Sequence, residues 1–560
     1  MTKGAGRLLA VLAVSAVILG ALAAWSGRTE GHWSVDSAVW ELMTREVARR
    51  GWEGLWVTNL AQAADPEGRF FPSFFFVRRG DRYHFAFQPT FALLSAPAYR
   101  ALGKAGLAVV PTLAALILAW VVARGTERVA PGMGWAGAAV LLFLTPIPLY
   151  AVTVWNHLPS VALLTTGALL TWGSGLGHSF RPTGMAAAGL SVGLGLLFRN
   201  EAYVYAAALA LAWLVAAPRH RWIGTALFAV GFAAGWLVQA GVNWHLFGSF
   251  FGPKAEAVAA RQATGAWDLP YRLWNLYLFV AAPDFAAFLR GGVDRGLLLF
   301  SAVVFAAVSL SLPGLESRPW RSAASLYALA GAEAVVLTGR TQVTGFFWVA
   351  PFLVFAFVNR PLTPTRRFLW SLALLFAAGV VWTASHGGFQ WGPRYLLAAY
   401  PIAVWLAADG WAALPPRTRE AIRMPAALLL LLALLAQAAG VDQADQGQWR
   451  ATQALRTIRS LPTDYVVVGL EIFAWDFAPA YGEKVLMSVD SQAELEEATR
   501  GLLRAGVERF TYLPRSGAAF DRTVVERVHV AGRAYRVAQD QTTGGLRLVQ
   551  YRLVRAPKWE

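Results

Sequence analysis

The sequence predicts an all-α polytopic membrane protein of about thirteen transmembrane helices, with an outer first loop carrying amphipathic helices and a small C-terminal α/β domain. Three observations predict it. Of 560 residues, 56% are hydrophobic and only 15% charged, where a soluble chain needs roughly a quarter charged residues to coat its surface. The apolar residues fall into runs of about 17–22, the length that spans a bilayer. Basic residues collect in the short links between these runs.

The spans are read at 8–25, 106–123, 133–152, 158–174, 185–198, 203–217, 222–243, 295–312, 322–338, 343–358, 368–384, 396–412 and 425–440. The first follows Lys3 and Arg7 and is too long for a signal-peptide core, so it reads as an uncleaved helix. With the N-terminus inside, the inner links carry Arg124 and Arg128, Arg181, Arg219 and Arg221, Arg318 and Arg321, Arg360, Arg366 and Arg367, then Arg417, Arg419 and Arg423. Most short outer links hold a single arginine: Arg199, Arg340 or Arg394. This bias orients the chain in a plasma (inner) membrane, N-terminus cytoplasmic and C-terminal domain extracytoplasmic.

Two domains follow: a transmembrane domain over 1–440, with its outer loop at 27–104, and a soluble domain over 441–560. The loop opens with a helical pattern, Ser37–Arg50, whose Val39, Leu42, Met43 and Val47 share one face. Its later phenylalanines, Phe70 to Phe87, suit a segment lying at the headgroup level. In the C-terminal domain Tyr465–Leu470, Val485–Val489 and Phe510–Leu513 read as strands and Gln492–Ala505 as a helix. The aromatics of EIFAWDFAPAY read as its core, with glycan binding as the alternative.

The formal charge of +16 does not indicate a nucleic-acid partner, because its distribution is that of helix orientation. With no cysteine there is no disulfide and no thiolate catalysis. No Gly-rich nucleotide loop followed by lysine occurs, and few charges lie within the spans, Glu333 being the main one. Both features weaken a transporter reading.

Asp36, in HWSVDSAVWELM, falls just after the first span. A carboxylate there could take the proton of an acceptor hydroxyl while a lipid phosphate leaves an anomeric carbon. It could equally cap the helix beginning at Ser37. Arg199 and Glu201, in LLFRNEAYVY, sit at an outer link: the guanidinium suits a leaving phosphate, or pairs structurally with Glu201. Arg394 and Tyr395 lie in SHGGFQWGPRYLLAAYP, whose Gly387–Gly388 and Gly392–Pro393 demand non-helical backbone, either of the kind that lines cavities or a simple connecting turn. His157, in VWNHLPS, and Lys254, in FGPK, are further candidates for phosphate or acceptor binding, against an ordinary interfacial role. Asp65 and Glu67, in AADPEG, read as a turn.

An Asp after the first helix, a long outer loop, and single arginines at later outer links resemble the GT-C superfamily of membrane glycosyltransferases. FGSFFGPK and WGPRYLLAAYP resemble segments of related bacterial proteins, and the whole plan resembles the lipid A aminoarabinose transferases and protein O-mannosyltransferases. The resemblance covers 1 to about 440. It implies an inverting transfer of a hexosyl or pentosyl unit from a polyprenyl-phosphate sugar to a glycan, lipid or protein acceptor. Asp36 would be the catalytic carboxylate, and Arg199 and Arg394 would contact the donor phosphate. Ser37 stands where the protein mannosyltransferase pattern has Glu, which leaves the acceptor open. No metal is demanded, since arginine can neutralise the phosphate, and a divalent ion stays open. A polymerase or ligase using a diphosphate-linked donor is the alternative enzyme, and a lipid or glycan transporter the alternative class.

Overall fold

The computed structural model describes residues 3–176, 179–217, 219–252, 269–280, 319–338, 345–383, 391–514, 523–531, 533–543 and 546–555. The chain divides into two compact units. The first comprises Met1–Ala23, Ala108–Phe250 and Gly265–Gln443; the second comprises Ala24–Leu107, Phe251–Thr264 and Ala444–Glu560.

In chain order the helices are α1 (Lys3–Ser26), α2 (Val35–Arg50), α3 (Thr90–Leu102), α4 (Val109–Val129), α5 (Gly134–Leu144), α6 (Ile147–Val152), α7 (His157–Gly173), α8 (Pro182–Gly195), α9 (Glu201–Ala216) and α10 (Arg221–Phe247). They continue as α11 (Leu269–Val280), α12 (Pro319–Thr338), α13 (Phe346–Val349), α14 (Pro364–Thr383), α15 (Ala399–Ala413), α16 (Pro416–Ala421), α17 (Arg423–Ser460), α18 (Glu471–Ala474), α19 (Gln492–Arg504) and α20 (Thr523–Glu526).

The first unit is helical. Five described helical stretches are long and apolar enough to cross a membrane: Gly4–Ser26, Thr90–Val129, Arg221–Phe247, Pro364–Thr383 and Arg423–Ser460. Gly134–Leu144 and Glu201–Ala216 are shorter apolar helices. Helices α8 and α10 meet backbone to backbone: a Cβ on Gly193 would lie 2.5 Å from the Phe232 carbonyl oxygen. Such close approach is how membrane helices gain dispersion contacts where lipid removes the hydrophobic drive.

Several expected spans differ. The span at 133–152 is broken at Thr145–Pro146 into α5 and α6, since proline removes a backbone donor. Residues 345–358 form one turn of helix, α13, and a 3-10 turn over Pro351–Phe357, not a continuous span. Pro351 again causes the break, and the Val349 carbonyl accepts from Gln437 Nε2 at 2.8 Å. The last apolar run is the start of a 38-residue helix ending at Ser460. The span at 295–312 lies outside the described residues.

In the second unit the first loop and the C-terminal region fold together. Strands β1 (Trp56–Thr58), β2 (Phe76–Arg79) and β3 (Arg82–Phe85) form an antiparallel sheet of order β1-β3-β2. Strands β4 (Tyr465–Val468), β5 (Val485–Ser488), β6 (Arg509–Leu513), β7 (His529–Val530), β8 (Arg533–Thr543) and β9 (Leu546–Arg555) form a mixed sheet of order β5-β4-β6-β9-β8-β7. Strand β4 pairs in parallel with β5 and β6, and the β8–β9 hairpin is antiparallel. Ala61, Ala64 and Phe70 of the loop join Val467, Leu502 and Tyr551 in one core. The loop's phenylalanines are therefore not a headgroup-level segment: Phe70, Phe71, Phe75, Phe76 and Phe85 are buried, Phe71 and Phe76 against Trp475. Sheet pairing supplies a protein partner for rings that the sequence alone directs to lipid. Trp475 and Phe477 of EIFAWDFAPAY are core, while Phe473 is exposed.

Candidate active site

In the first unit three separate stretches of chain bring five of the expected residues into one pocket. His157 opens α7, Arg199 lies in the link between α8 and α9, Glu201 begins α9, and Arg394 and Tyr395 form a 3-10 turn ahead of α15. All five line the same pocket, together with Ser160 and Phe376. The local backbone explains the arrangement. The α8–α9 link keeps its carbonyls occupied in tight turns, with Arg199 N donating to the Gly195 carbonyl at 3.0 Å. Ahead of Arg394, Gly392 adopts φ +68°, and a Cβ there would press on Pro146 at 2.9 Å. Only glycine holds that left-handed turn without strain. The Tyr150 hydroxyl then fixes the turn by donating to the Trp391 carbonyl at 3.1 Å.

The two guanidinium groups share the Tyr395 ring, Arg394 at 4.8 Å and Arg199 at 5.8 Å from its centroid. Arg394 also lies 5.8 Å from the Trp155 ring and donates from Nη2 to the Tyr395 hydroxyl at 3.0 Å. Arg199 makes a two-pronged ion pair with Glu201, Nε to Oε2 at 3.0 Å and Nη2 to Oε1. Its Nη1 reaches Asn156 Oδ1 at 3.4 Å. His157 is buried beside Trp155, ring centroids 5.5 Å apart. Arg199 and Arg394 thus stand over one aromatic ring, with Arg199 paired to Glu201. Planar, forked donors of this kind suit a phosphate. Asn156, Trp155 and Tyr150 were not singled out from sequence; the run YAVTVWNH carries no charge to mark them. Lys254 lies outside the described residues.

In the second unit Asp36 is half-buried in the first turn of α2. The structure removes the capping explanation. The N-cap is Ser34, whose Oγ accepts from Ser37 N at 3.3 Å, so Asp36 is not needed to start the helix. Helix α2 itself buries Val39, Leu42, Met43 and Val47, as its periodicity predicts.

The segment preceding Asp36 is held by a cluster that sequence reasoning missed. His32 Nε2 bonds Glu41 Oε2, and the Tyr99 hydroxyl donates to Glu41 Oε1 at 3.2 Å. Lys104 Nζ donates to the Thr29 carbonyl at 2.9 Å and to the Gly31 carbonyl. Gly31 N donates to Thr452 Oγ1 at 2.8 Å, and a Cβ on Gly31 would overlap the α17 backbone. Burial keeps His32 neutral, lowering its pKa to about 4, with Lys104 adding to the effect and Glu41 opposing it. Burial also lowers Lys104 to about 8, while Glu41 and Glu30 resist. The carboxyl of Glu41 is held below the usual carboxylate range by His32, Lys104 and Arg45, against its burial. The available signal is residue choice: among five lysines and many arginines, Lys104 and Lys484 both spend their ammonium groups on backbone carbonyls. Asp65, expected in a turn, accepts Arg69 N and Phe70 N at 2.8 Å each and orders that turn.

No protein-family model matches the sequence, and no curated protein sequence matches it. Among solved structures the chain is similar to the oligosaccharyltransferase of Archaeoglobus fulgidus tethered with an acceptor peptide containing the NVT sequon, at 13% identity and TM-score 0.48, over 90% of this chain and 68% of that one. It is similar to ArnT from Cupriavidus metallidurans bound to undecaprenyl phosphate, at 14% identity and TM-score 0.46, over 97% and 98% of the two chains. It is also similar to the arabinofuranosyltransferase AftD from Mycobacteria, at 14% identity and TM-score 0.43, over 98% of this chain and 40% of that one. At these identities and TM-scores the chemistry rests on the residues of the chain itself.

Proposed function

We propose that the chain is an inverting glycosyltransferase that moves a sugar from a polyprenyl-phosphate donor to an acceptor on the extracytoplasmic face of the membrane. The observation that carries this reading is the convergence of Arg199, Arg394, Tyr395 and His157 on one pocket of the apolar unit. A transferable sugar on a lipid phosphate needs such a cationic receptor near the bilayer surface. The basic links of the sequence support an outer position for that receptor.

In the reaction the acceptor oxygen forms a bond to the anomeric carbon as the bond from that carbon to the phosphate oxygen breaks. The electron pair leaves with the phosphate, where Arg394 and Arg199 stabilise the growing negative charge. Asp36 takes the proton from the acceptor hydroxyl. Glu201 sets Arg199 in place through its paired oxygens. Arginine donors meet the departing phosphate in this scheme, which routes no step through a metal.

Sugar release from radiolabelled polyprenyl-phosphate sugars, compared between purified wild type and Asp36→Asn, tests the reading. The expected result is turnover of one donor by wild type, reduced by roughly 10²–10⁴ in the variant, with donor binding and α2 intact. Equal turnover by both proteins removes Asp36 from the chemistry. A lipid transporter would tolerate the substitution.

A further inference from the structure

Asn156 stands at the N-cap position of α7, yet its side chain makes no capping hydrogen bond. Asparagine is favoured at such a position because its side-chain oxygen ordinarily accepts from an N–H of the first helical turn. Here the backbone, with φ −87° and ψ 10°, lacks the extended geometry that aims a side chain that way. The carboxamide turns away from the helix it opens. Its Nδ2 donates to the Phe198 carbonyl, and its Oδ1 accepts from Arg199 Nη1 at 3.4 Å. Chemistry fixes that orientation at both ends, since a carbonyl can only accept and a guanidinium can only donate. The residue is buried, so neither bond competes with bulk water.

Two other side chains tie α7 to α8. Ser160 Oγ donates to the Gly195 carbonyl at 3.2 Å, and Ser191 Oγ donates to the Leu163 carbonyl at 2.8 Å. Both join a side chain to backbone and end there. Asn156 does the same at Phe198 and also grips a charged side chain. Arg199 places Nε and Nη2 on Glu201, two residues further along the chain, so that pair fixes the guanidinium only relative to its own segment. Asn156 lies 43 positions away, on a different helix, and fixes the guanidinium across the two. It does so without charge: a carboxylate at this position would give Arg199 a second acid beside Glu201 and oppose an incoming anion. Arg199 lines the pocket, whereas Asn156 is not part of the lining.

We propose that Asn156 is a positioning residue for anion binding: it forgoes the α7 cap and holds the Arg199 guanidinium in one orientation at the pocket without cancelling its charge. It acts through Arg199 and touches no ligand. Such preorganisation raises affinity, because a forked donor serves an anion only while its geometry is held within about 0.5 Å. The inference rests on the lipid-phosphate reading of the pocket and adds to it the residue that keeps one of its donors in register.

The test compares the affinities of the purified full-length protein for undecaprenyl phosphate and for the neutral alcohol undecaprenol. Their ratio isolates what the phosphate contributes, whereas a distorted pocket weakens both lipids alike. Asn156→Ala should lower that ratio roughly tenfold. Asn156→Asp, of the same shape, should lower it at least as far, because its charge opposes the phosphate. In an Arg199→Ala background, Asn156→Ala should change nothing further. Ser191→Ala, which cuts another tie between the same helices, should leave the ratio as in wild type. If the alanine variant does not fold, Asn156→Asp decides. A ratio unchanged by both Asn156 substitutions but lowered by Arg199→Ala overturns this inference and leaves the phosphate reading standing. A further loss from Asn156→Ala in the Arg199→Ala background also overturns it, since the residue would then not act through Arg199. A ratio unchanged by Arg199→Ala removes both.

Discussion

Each unit of this protein contains a knot of charge, and the two are built in opposite ways. Around His32, Glu41, Tyr99 and Lys104 the charged atoms are turned inward: the carboxylate is met by an imidazole and a phenol, and the ammonium by backbone carbonyls. Such a cluster fixes backbone and has little left to offer a ligand. Arg199 and Arg394 share the Tyr395 ring, Arg394 lying also near the Trp155 ring and Arg199 pairing with Glu201. Stacking on rings holds a guanidinium in place without using up its donors. On the proposed reading, the difference separates charge that builds from charge that binds.

The comparison is broken most directly by acid. Neutral His32 takes a proton at about 4 when folded and near 6.5 when unfolded. Between those values the unfolded state binds more protons, so stability falls as pH drops from 6.5 toward 4 and levels off below. The loss is about 3 kcal/mol at most, and the lowered Glu41 carboxyl extends it at the acid end. Thermal unfolding followed across that range should show the loss in wild type and a flatter profile in His32→Gln. A flat wild-type profile would mean that the cluster is not closed as described.

The binding side is sharpened by Arg394→Ala, which should weaken binding of a polyprenyl phosphate by about 1.5–3 kcal/mol, the worth of a hydrogen bond to a charged group. Its unfolding temperature should stay close to that of wild type. Arg394→Lys should recover only part of the affinity, because an ammonium lacks the planar fork and stacks poorly. Unchanged affinity in both variants would place the phosphate elsewhere. The smallest effect belongs to Ser34→Ala, which removes the α2 cap and should cost about 1 kcal/mol in stability. Asp36→Asn should cost less, because Asp36 is not the cap; a reversal of that order, read from denaturant midpoints, would restore the capping role.

Much of the candidate site was legible because its residues are charged and stand in apolar surroundings. Arg199, Glu201 and Arg394 stand out against runs of leucine and alanine, and Gly392–Pro393 marks the turn that presents Arg394. Their convergence was not legible, because it depends on which helices pack together. Asn156 and Trp155 carry no charge that would draw notice, yet they complete the arginine surroundings. The β8–β9 hairpin went unread because its alternation is filled with Arg, Gln and Asp, which conceal the period of two. A strand with one wet face has room for such residues.

The sequence by itself determined the membrane class, the first-loop helix and the parallel strands of the C-terminal sheet. Run length and periodicity act locally, through bilayer thickness and side-chain direction. Only the tertiary structure decided where the phenylalanines of the first loop go, since burial in a core depends on a partner more than 390 residues away, at Trp475. It also decided that Pro351 ends a helix within buried surroundings, because Gln437 is there to take the freed carbonyl. Lys104 shows the same division most plainly: its charge is written in the chain, but its burial against the Thr29 and Gly31 carbonyls is a property of packing alone.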